Sequence, residues 1–247
     1  MEYALWSPRY RAIQAEFGYP FAQEEASARE LLQLLPPEAR ERPLERAVSR
    51  LVGRDVWVVG LAPRAGAPPL WRHRDSRPPA AIIAADGAAE RCLQAGIVPD
   101  LVVTDLDGPV PAEVAANSRG SLVVIHAHGD NTAALRRWVP QFPGEICGTW
   151  AGPPGSGLFN VGGFTDGDRA VFLAHHAGAR RILLFGFDFD QVEEASPSEA
   201  AVKRRKLRWA SRLIGELAHD GPVPILVAHP DGSESPYSEA GGEPATQ

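Results

Sequence analysis

From Gly53 onward the chain consists of short, almost purely apolar runs separated by amphipathic or turn-rich stretches, and that alternation limits the folds open to it. The runs occupy residues 56–59, 81–84, 101–103, 122–125, 145–147, 182–185 and 225–227. A strand with one wet face alternates apolar and polar residues; one covered on both faces reads as a continuous apolar run. Amphipathic stretches at 87–95, 132–139, 165–177 and 198–219 fit helices between these strands. Alternating strand and helix predicts an α/β fold, Rossmann-like, with a mostly parallel sheet flanked by helices.

The remaining chain divides around that unit. Residues 1–53 read as a small N-terminal helical region, most clearly over 23–35, where Ala26, Leu31, Leu34 and Leu35 recur at helical spacing until Pro36 and Pro37 stop the pattern. Residues 54–230 are expected to form the α/β domain that carries any catalytic site. The Pro- and Arg-crowded segment 64–79 is expected to be an irregular loop. The tail, 231–247, is rich in Gly, Ser, Pro and Glu and is expected to be disordered.

Composition removes several classes of function. A net charge of −6 and a pI near 5.7 argue against a nucleic-acid partner, which demands a broad basic surface. No apolar run approaches the roughly 20 residues of a membrane helix, and the N-terminus lacks the basic and apolar regions of a signal peptide. The chain is therefore expected in the cytoplasm, away from membranes; a homo-oligomer is compatible with it. Cys92 and Cys147 lack any Cys-x-x-Cys spacing and read as reduced and inert.

In a parallel sheet, ligands bind beyond the carboxyl ends of the strands, so the residue after each apolar run matters most. Those positions hold Gly60, Asp86, Asp105 and Asp107, the stretch from His126 to Asn131, Thr149, and Gly186 to Asp188. Asp105 and Asp107 are two apart, and in extended backbone their side chains share a face. Paired carboxylates with Asp86 beside them suit Mg²⁺, a hard cation held by one or two carboxylates together with substrate phosphates. The alternative is that these aspartates only cap helices and form turns.

Residues 160–169, NVGGFTDGDR, form a glycine-rich entry to a helix: Gly162 and Gly163 supply backbone freedom, Thr165 stands at the N-cap, and Asp168 lies three residues on. Such an entry binds anions through its N–H groups, and Arg169 adds a cation; the blander reading is a capping box. His126-x-His128-x-Asp130 resembles the metal run of metallo-β-lactamase-like hydrolases, but Asn131 replaces the next histidine and removes a zinc ligand. The 198–219 helix carries basic residues from Lys203 to Arg212, normally a solvated face, from which one or two cations can close over phosphates.

Taken together, AADGAAERCLQAGIVPDLVVTDLDG, HAHGDN, NVGGFTDGDRA and GFDF resemble the archaeal 6-hydroxymethyl-7,8-dihydropterin diphosphokinases (MptE-like), which share their catalytic fold with thiamine diphosphokinases. The resemblance spans about residues 54–229. It implies transfer of diphosphate from ATP to 6-hydroxymethyl-7,8-dihydropterin, giving AMP, in methanopterin or folate biosynthesis. It also implies a Mg²⁺ site of Asp86, Asp105 and Asp107, a further acidic catalytic position at Asp130, and nucleotide contacts from Gly162, Gly163, Arg169 and Lys206; Gly60, Asn131, Thr149, Thr165 and Asp168 are expected to join those contacts from their places at strand ends and in the glycine-rich loop. A thiamine diphosphokinase is the nearest alternative. A metal-dependent nucleotide-sugar glycosyltransferase is the next, because Asp-x-Asp also binds the metal of nucleotide sugars.

Overall fold

The computed structural model describes residues 2–62, 79–155, 157–190, 192, 196–229 and 231–239. The segment expected as a Pro- and Arg-rich loop falls outside them apart from Pro79. Helices α1 (Tyr3–Phe17), α2 (Phe21–Leu34), α3 (Pro37–Arg40) and α4 (Pro43–Ser49) precede β1 (Asp55–Val59) and β2 (Ala81–Ala85). Then come α5 (Ala88–Gln94), β3 (Leu101–Thr104), α6 (Val110–Asn117), β4 (Leu122–Ala127) and α7 (Thr132–Trp138). The chain continues through β5 (Ile146–Trp150), β6 (Leu158–Phe159), α8 (Asp166–His176), β7 (Arg181–Phe185), α9 (Pro197–Asp220), β8 (Ile225–Ala228) and β9 (Glu234–Pro236).

Among the described residues the strands form one sheet in the order β6-β5-β4-β3-β2-β1-β7-β8-β9, parallel throughout except for the antiparallel β9. The chain walks outward from β1 to β6, then returns to lay β7 against the free side of β1. That reversal opens a crevice between the carboxyl ends of β1 and β7, where ligands of such sheets bind. Each apolar run is a strand because it packs on both sides. Val56, Val58, Ile83 and Val103 face one cluster, containing Trp6 and Phe172; Trp57, Val59, Ile82 and Val102 face the other, containing Leu31 and Leu135.

The N-terminal helices are part of that packing. In α1, Trp6, Tyr10 and Ile13 recur at helical spacing and are buried; the Trp6 indole donates to Ala151 O at 3.1 Å and meets the Phe172 ring edge-on at 6.2 Å. Gly18 ends α1 at φ 71°, a left-handed conformation that glycine adopts without strain. In α2 the buried face is Glu24, Ser27, Ala28 and Leu31, whereas Ala26 is exposed. Of the expected stripe Leu31, Leu34 and Leu35 do pack against the core, and only Ala26 falls off it; the first turn instead carries a glutamate inward.

Two further differences concern short elements. Pro109 and Pro111 hide α6 from a periodicity reading, yet a proline in the first turn of a helix forfeits no hydrogen bond there. The expected structureless tail does not hold for residues 231–239: Ser235 pairs with Val227, and Tyr237 N donates to Ile225 O at 2.9 Å. Residues 240–247 lie outside the description. No helix among the described residues is long and apolar enough to cross a membrane.

Candidate functional site

The crevice continues into a cleft of about 350 Å³ walled by the ends of β1, β2, β3, β4 and β7, the start of α8, the inner face of α9, and Tyr10, Tyr19 and Glu24 from the N-terminal region. At its mouth Gly60 and Gly186 face each other. A Cβ on Gly60 would lie 2.8 Å from Gly186 O, and one on Gly186, whose φ is 67°, would lie 2.5 Å from Gly60 O. Only glycines allow β1 and β7 to approach this closely beyond their last ladder bonds.

One wall is acidic. Asp86, at φ 46°, and Leu106, at φ 70°, adopt a left-handed conformation that non-glycine residues seldom take, and both lie in the turns that present the carboxylates. Asp86 N donates to Val103 O at 2.8 Å, and the Asp86 carboxylate lies so close to Gly108 that a Cβ there would be 2.3 Å from either oxygen. Asp105 and Asp107 do converge, but not through the extended backbone that the i, i+2 argument invokes. Leu106 turns the chain, with its N–H on Thr104 Oγ1 at 2.9 Å, while Asp107 N reaches Asp105 Oδ1 at 3.2 Å.

These carboxylates compete for protons. Burial pushes Asp107 up to about 6, reinforced by the charges of Asp105 and Asp86, although the residue itself reaches solvent. Burial acts upward on Asp105 too, but is outweighed by His128, whose Nε2 lies 3.3 Å from Asp105 Oδ2, so Asp105 is held below the usual carboxylate range. Asp166, in the first turn of α8, is raised well above its ordinary value by burial and by Asp105 and Asp86. The sequence pattern did not single it out; its signal was a second acid beside Thr165 at a helix entry.

The donor set is all oxygen, bears excess negative charge and leaves Asp86 Oδ1 buried without a hydrogen bond. That is the chemistry a hard cation satisfies. Among the described residues no three His, Cys, Asp or Glu side chains are gathered tightly enough to form a protein-only cage. A Mg²⁺ that draws part of its shell from phosphates and water needs none.

At its deep end the cleft changes character. Tyr10, Glu24, His126, His128 and Arg169 line it, with Phe164 and Tyr19 at its edge. Glu24 is 2 % exposed; Oε1 accepts from Gly129 N at 3.2 Å, whereas Oε2 has no hydrogen bond. Arg169 is also 2 % exposed; Nη2 lies 3.0 Å from His126 Nε2, while Nε and Nη1 have no partner. Burial and the Arg169 charge hold His126 well below its usual value, so its ring is neutral. Burial raises Glu24, and it raises the Tyr10 phenol together with the Glu24 charge beside it.

The other expected residues divide by position. Gly60, Thr165, Asp168, Arg169 and Lys206 line the cleft with Asp86, Asp105 and Asp107; Asp130, Asn131, Thr149, Gly162 and Gly163 do not. Asp130 points outward, its side chain 82 % exposed, and ion-pairs with His128 Nδ1 at 3.0 Å. Asn131 is an internal clamp: Oδ1 accepts from Ser27 Oγ and His128 N, and Nδ2 donates to Asp105 O and His126 O, each at 2.8 Å. Thr149 donates to Phe159 O at 2.7 Å. A Cβ on Gly162 would strike the Phe172 ring and one on Gly163 the Arg169 backbone, so these glycines seat α8 against the sheet. Asp168 accepts from Phe164 N and Thr165 N, both at 2.7 Å, which secures the capping-box side of its reading.

Residues 37–194 match the family model described as 6-hydroxymethylpterin diphosphokinase MptE-like. Curated relatives include three 6-hydroxymethyl-7,8-dihydropterin pyrophosphokinases. That of Methanothermobacter thermautotrophicus is 40% identical over 235 residues, covering 91% of this chain and 99% of that one. The Pyrococcus furiosus protein is 36% identical (92% and 98% covered), and the Methanocaldococcus jannaschii protein 33% (88% and 96%). A solved MAf glycosyltransferase from Magnetospirillum magneticum AMB-1 matches with a TM-score of 0.41 at 20% identity, over 72% of this chain and 34% of that one.

Proposed function

Because the chain belongs to the MptE-like family of 6-hydroxymethylpterin diphosphokinases, we propose that it transfers diphosphate from ATP to 6-hydroxymethyl-7,8-dihydropterin, releasing AMP and the pterin diphosphate. The observation that carries this reading is a near full-length match to pterin pyrophosphokinases on a chain whose sheet ends bring Asp86, Asp105 and Asp107, and whose helix α8 brings Asp166, around one cleft.

In this reaction the acceptor's alcohol oxygen attacks the β-phosphorus. The bond from that phosphorus to the oxygen bridging it to the α-phosphate breaks, AMP leaves with the bridging oxygen, and the alcohol proton is lost to solvent. Asp86, Asp105 and Asp107 are the residues that would hold Mg²⁺, which when bound neutralises charge on the phosphate oxygens. Lys203 and Lys206, on the cleft side of α9, present cations to the same volume. Asp168 takes the N–H groups of Phe164 and Thr165 just before α8, and the N–H groups of Asp166 and Gly167 that open the helix have no intrahelical acceptor. Such transfers ask little covalent chemistry of the protein, so these groups act by positioning and by electrostatic stabilisation.

The test is incubation with ATP, Mg²⁺ and the hydroxymethyl dihydropterin, with thiamine in a parallel reaction. Release of AMP with the pterin alone is expected. Release of ADP, or AMP formed only with thiamine, would overturn the reading.

A further inference from the structure

The deep chamber holds a buried carboxylate and a buried guanidinium that are not paired with each other, each with an open hydrogen-bonding position: Glu24 Oε2, which keeps no well-formed hydrogen bond although the Tyr10 hydroxyl lies beside that carboxylate, and Arg169 Nε and Nη1. Leaving such groups unsatisfied is costly, and native interiors complete them with a ligand or with ordered water that a ligand can displace. The two charges have opposite demands. A ligand that satisfies both must offer N–H donors along one edge and acceptors along another. Phosphate fits badly, because it would bring more negative charge against Glu24. The chamber is also edged by the aromatic rings of Tyr19 and Phe164, packed together at a tilt of 47°, which add apolar surface for a flat heterocycle.

We propose that Glu24 reads the 2-amino and N3–H edge of the pterin ring through its unpaired oxygen, while Arg169 donates to the 4-oxo side. This assignment rests on the function proposed above and supplies what that reading lacks, the residues that choose the acceptor. It also moves Arg169 from the phosphate role implied by its place after the glycine-rich loop to the ring. The neighbouring geometry agrees: His128 sits between the chamber and the carboxylates, with Nε2 3.3 Å from Asp105 Oδ2, so a ring held by Glu24 lies one imidazole away from the acidic wall. Burial raises Glu24, and paired N–H donors from a ligand would favour its ionised form.

The experiment measures binding of 6-hydroxymethyl-7,8-dihydropterin and of its 2-oxo counterpart, 6-hydroxymethyl-7,8-dihydrolumazine, to wild type and to Glu24→Gln, with a non-hydrolysable ATP analogue present. The lumazine replaces the 2-amino donor with an acceptor that faces the carboxylate. Wild type should prefer the pterin by about a hundredfold or more, the discrimination expected when a buried polar group is left opposed rather than paired. In Glu24→Gln the amide N–H can donate to the 2-oxo group, so the preference should shrink by about tenfold or reverse, with affinity for the ATP analogue unchanged. A merely structural glutamate would weaken both ligands alike and leave the ratio unmoved, which would overturn the assignment. Should the variant not fold, a wild-type ratio near one is by itself enough to reject it. Wild type that binds the pterin without discrimination refutes the ring site alone, whereas wild type that binds neither compound refutes the acceptor as well.

Discussion

Glu113, fully buried in α6, holds its carboxyl against that of Asp86, and burial together with the Asp86 charge pushes it up to about 9. Neither Glu113 oxygen has a hydrogen-bond partner among the described residues, and as the neutral acid Glu113 carries a proton that can turn toward Asp86 and orient that carboxylate. The pair shows why α6, absent from the sequence pattern, matters to the site.

Glu113→Gln should therefore keep most activity, since an amide N–H can replace the acid proton, while Glu113→Ala should lower turnover by about 10- to 100-fold, as is usual when the partner orienting a ligand is lost. Steady-state AMP release by the two variants, with circular dichroism to check the fold, separates an orienting hydrogen bond from simple filling of space.

Replacing Asp107 should cost function and spare the fold. Asp107→Asn is expected to cut turnover by about a hundredfold or more. Because it removes one member of a mutually repelling group, it should slightly raise Tm in the absence of divalent cation. The gain should be no more than about 1 kcal/mol, since the residue reaches solvent and water screens the repulsion. Thermal unfolding in chelator and activity at varied Mg²⁺ check both halves; a loss of Tm with normal turnover would contradict both.

The glycine pair at the mouth should tolerate no side chain. Gly186→Ala combines a φ of 67° with a Cβ placed 2.5 Å from Gly60 O, so it should destabilise by about 2 kcal/mol and widen the crevice. Gly178→Ala is the control: a similar φ of 69° but nothing within 4 Å, so it should show the backbone cost without the effect on ATP binding. Chemical denaturation and nucleotide titration on the two variants measure the difference.

Acid stability should respond at Asp55, which is 5 % exposed and accepts from Arg180 Nε at 2.7 Å and Arg181 Nε at 3.0 Å. Those partners, Arg180 foremost, hold its carboxyl below the usual range. A depressed folded value contributes stability that is fully present above the unfolded value, near 3.9, and is lost as pH falls through the folded one. Asp55→Asn should cost about 2 kcal/mol at pH 7, with the gap to wild type closing below roughly pH 4. Urea unfolding from pH 3 to 7 tests that window.

The strands and most of the acidic wall were legible because burial on both faces of a parallel sheet leaves continuous apolar runs, and the residue after each run is forced to the ligand edge. What escaped depended on phase or distance. Reading the α2 stripe through Ala26 hid Glu24, although Glu24, Ala28, Leu31 and Leu35 share the helical spacing that buries them. Asn131 and Thr149 follow strand ends, as expected of ligand residues, but their side chains turn inward to hold backbone groups, a distinction set by tertiary partners more than a hundred residues away in the case of Ser27. Asp105 and Asp107 met as expected, through a left-handed Leu106 that no side-chain alternation foretells.

The docking of α1 and α2 over the sheet has a consequence for how such a protein can change. Tyr10 and Glu24 come from those two helices, whereas the carboxylates come from strand ends between residues 86 and 107. The cover and the acidic wall thus come from separate stretches of one chain, joined by contacts such as Trp6 with Ala151 and Ser27 with Asn131. Substitution at Tyr10 or Glu24 can therefore reshape the chamber without touching the carboxylates of residues 86 to 107, whereas Ser27 is less free to change, because through Asn131 it bears on the Asp105 backbone.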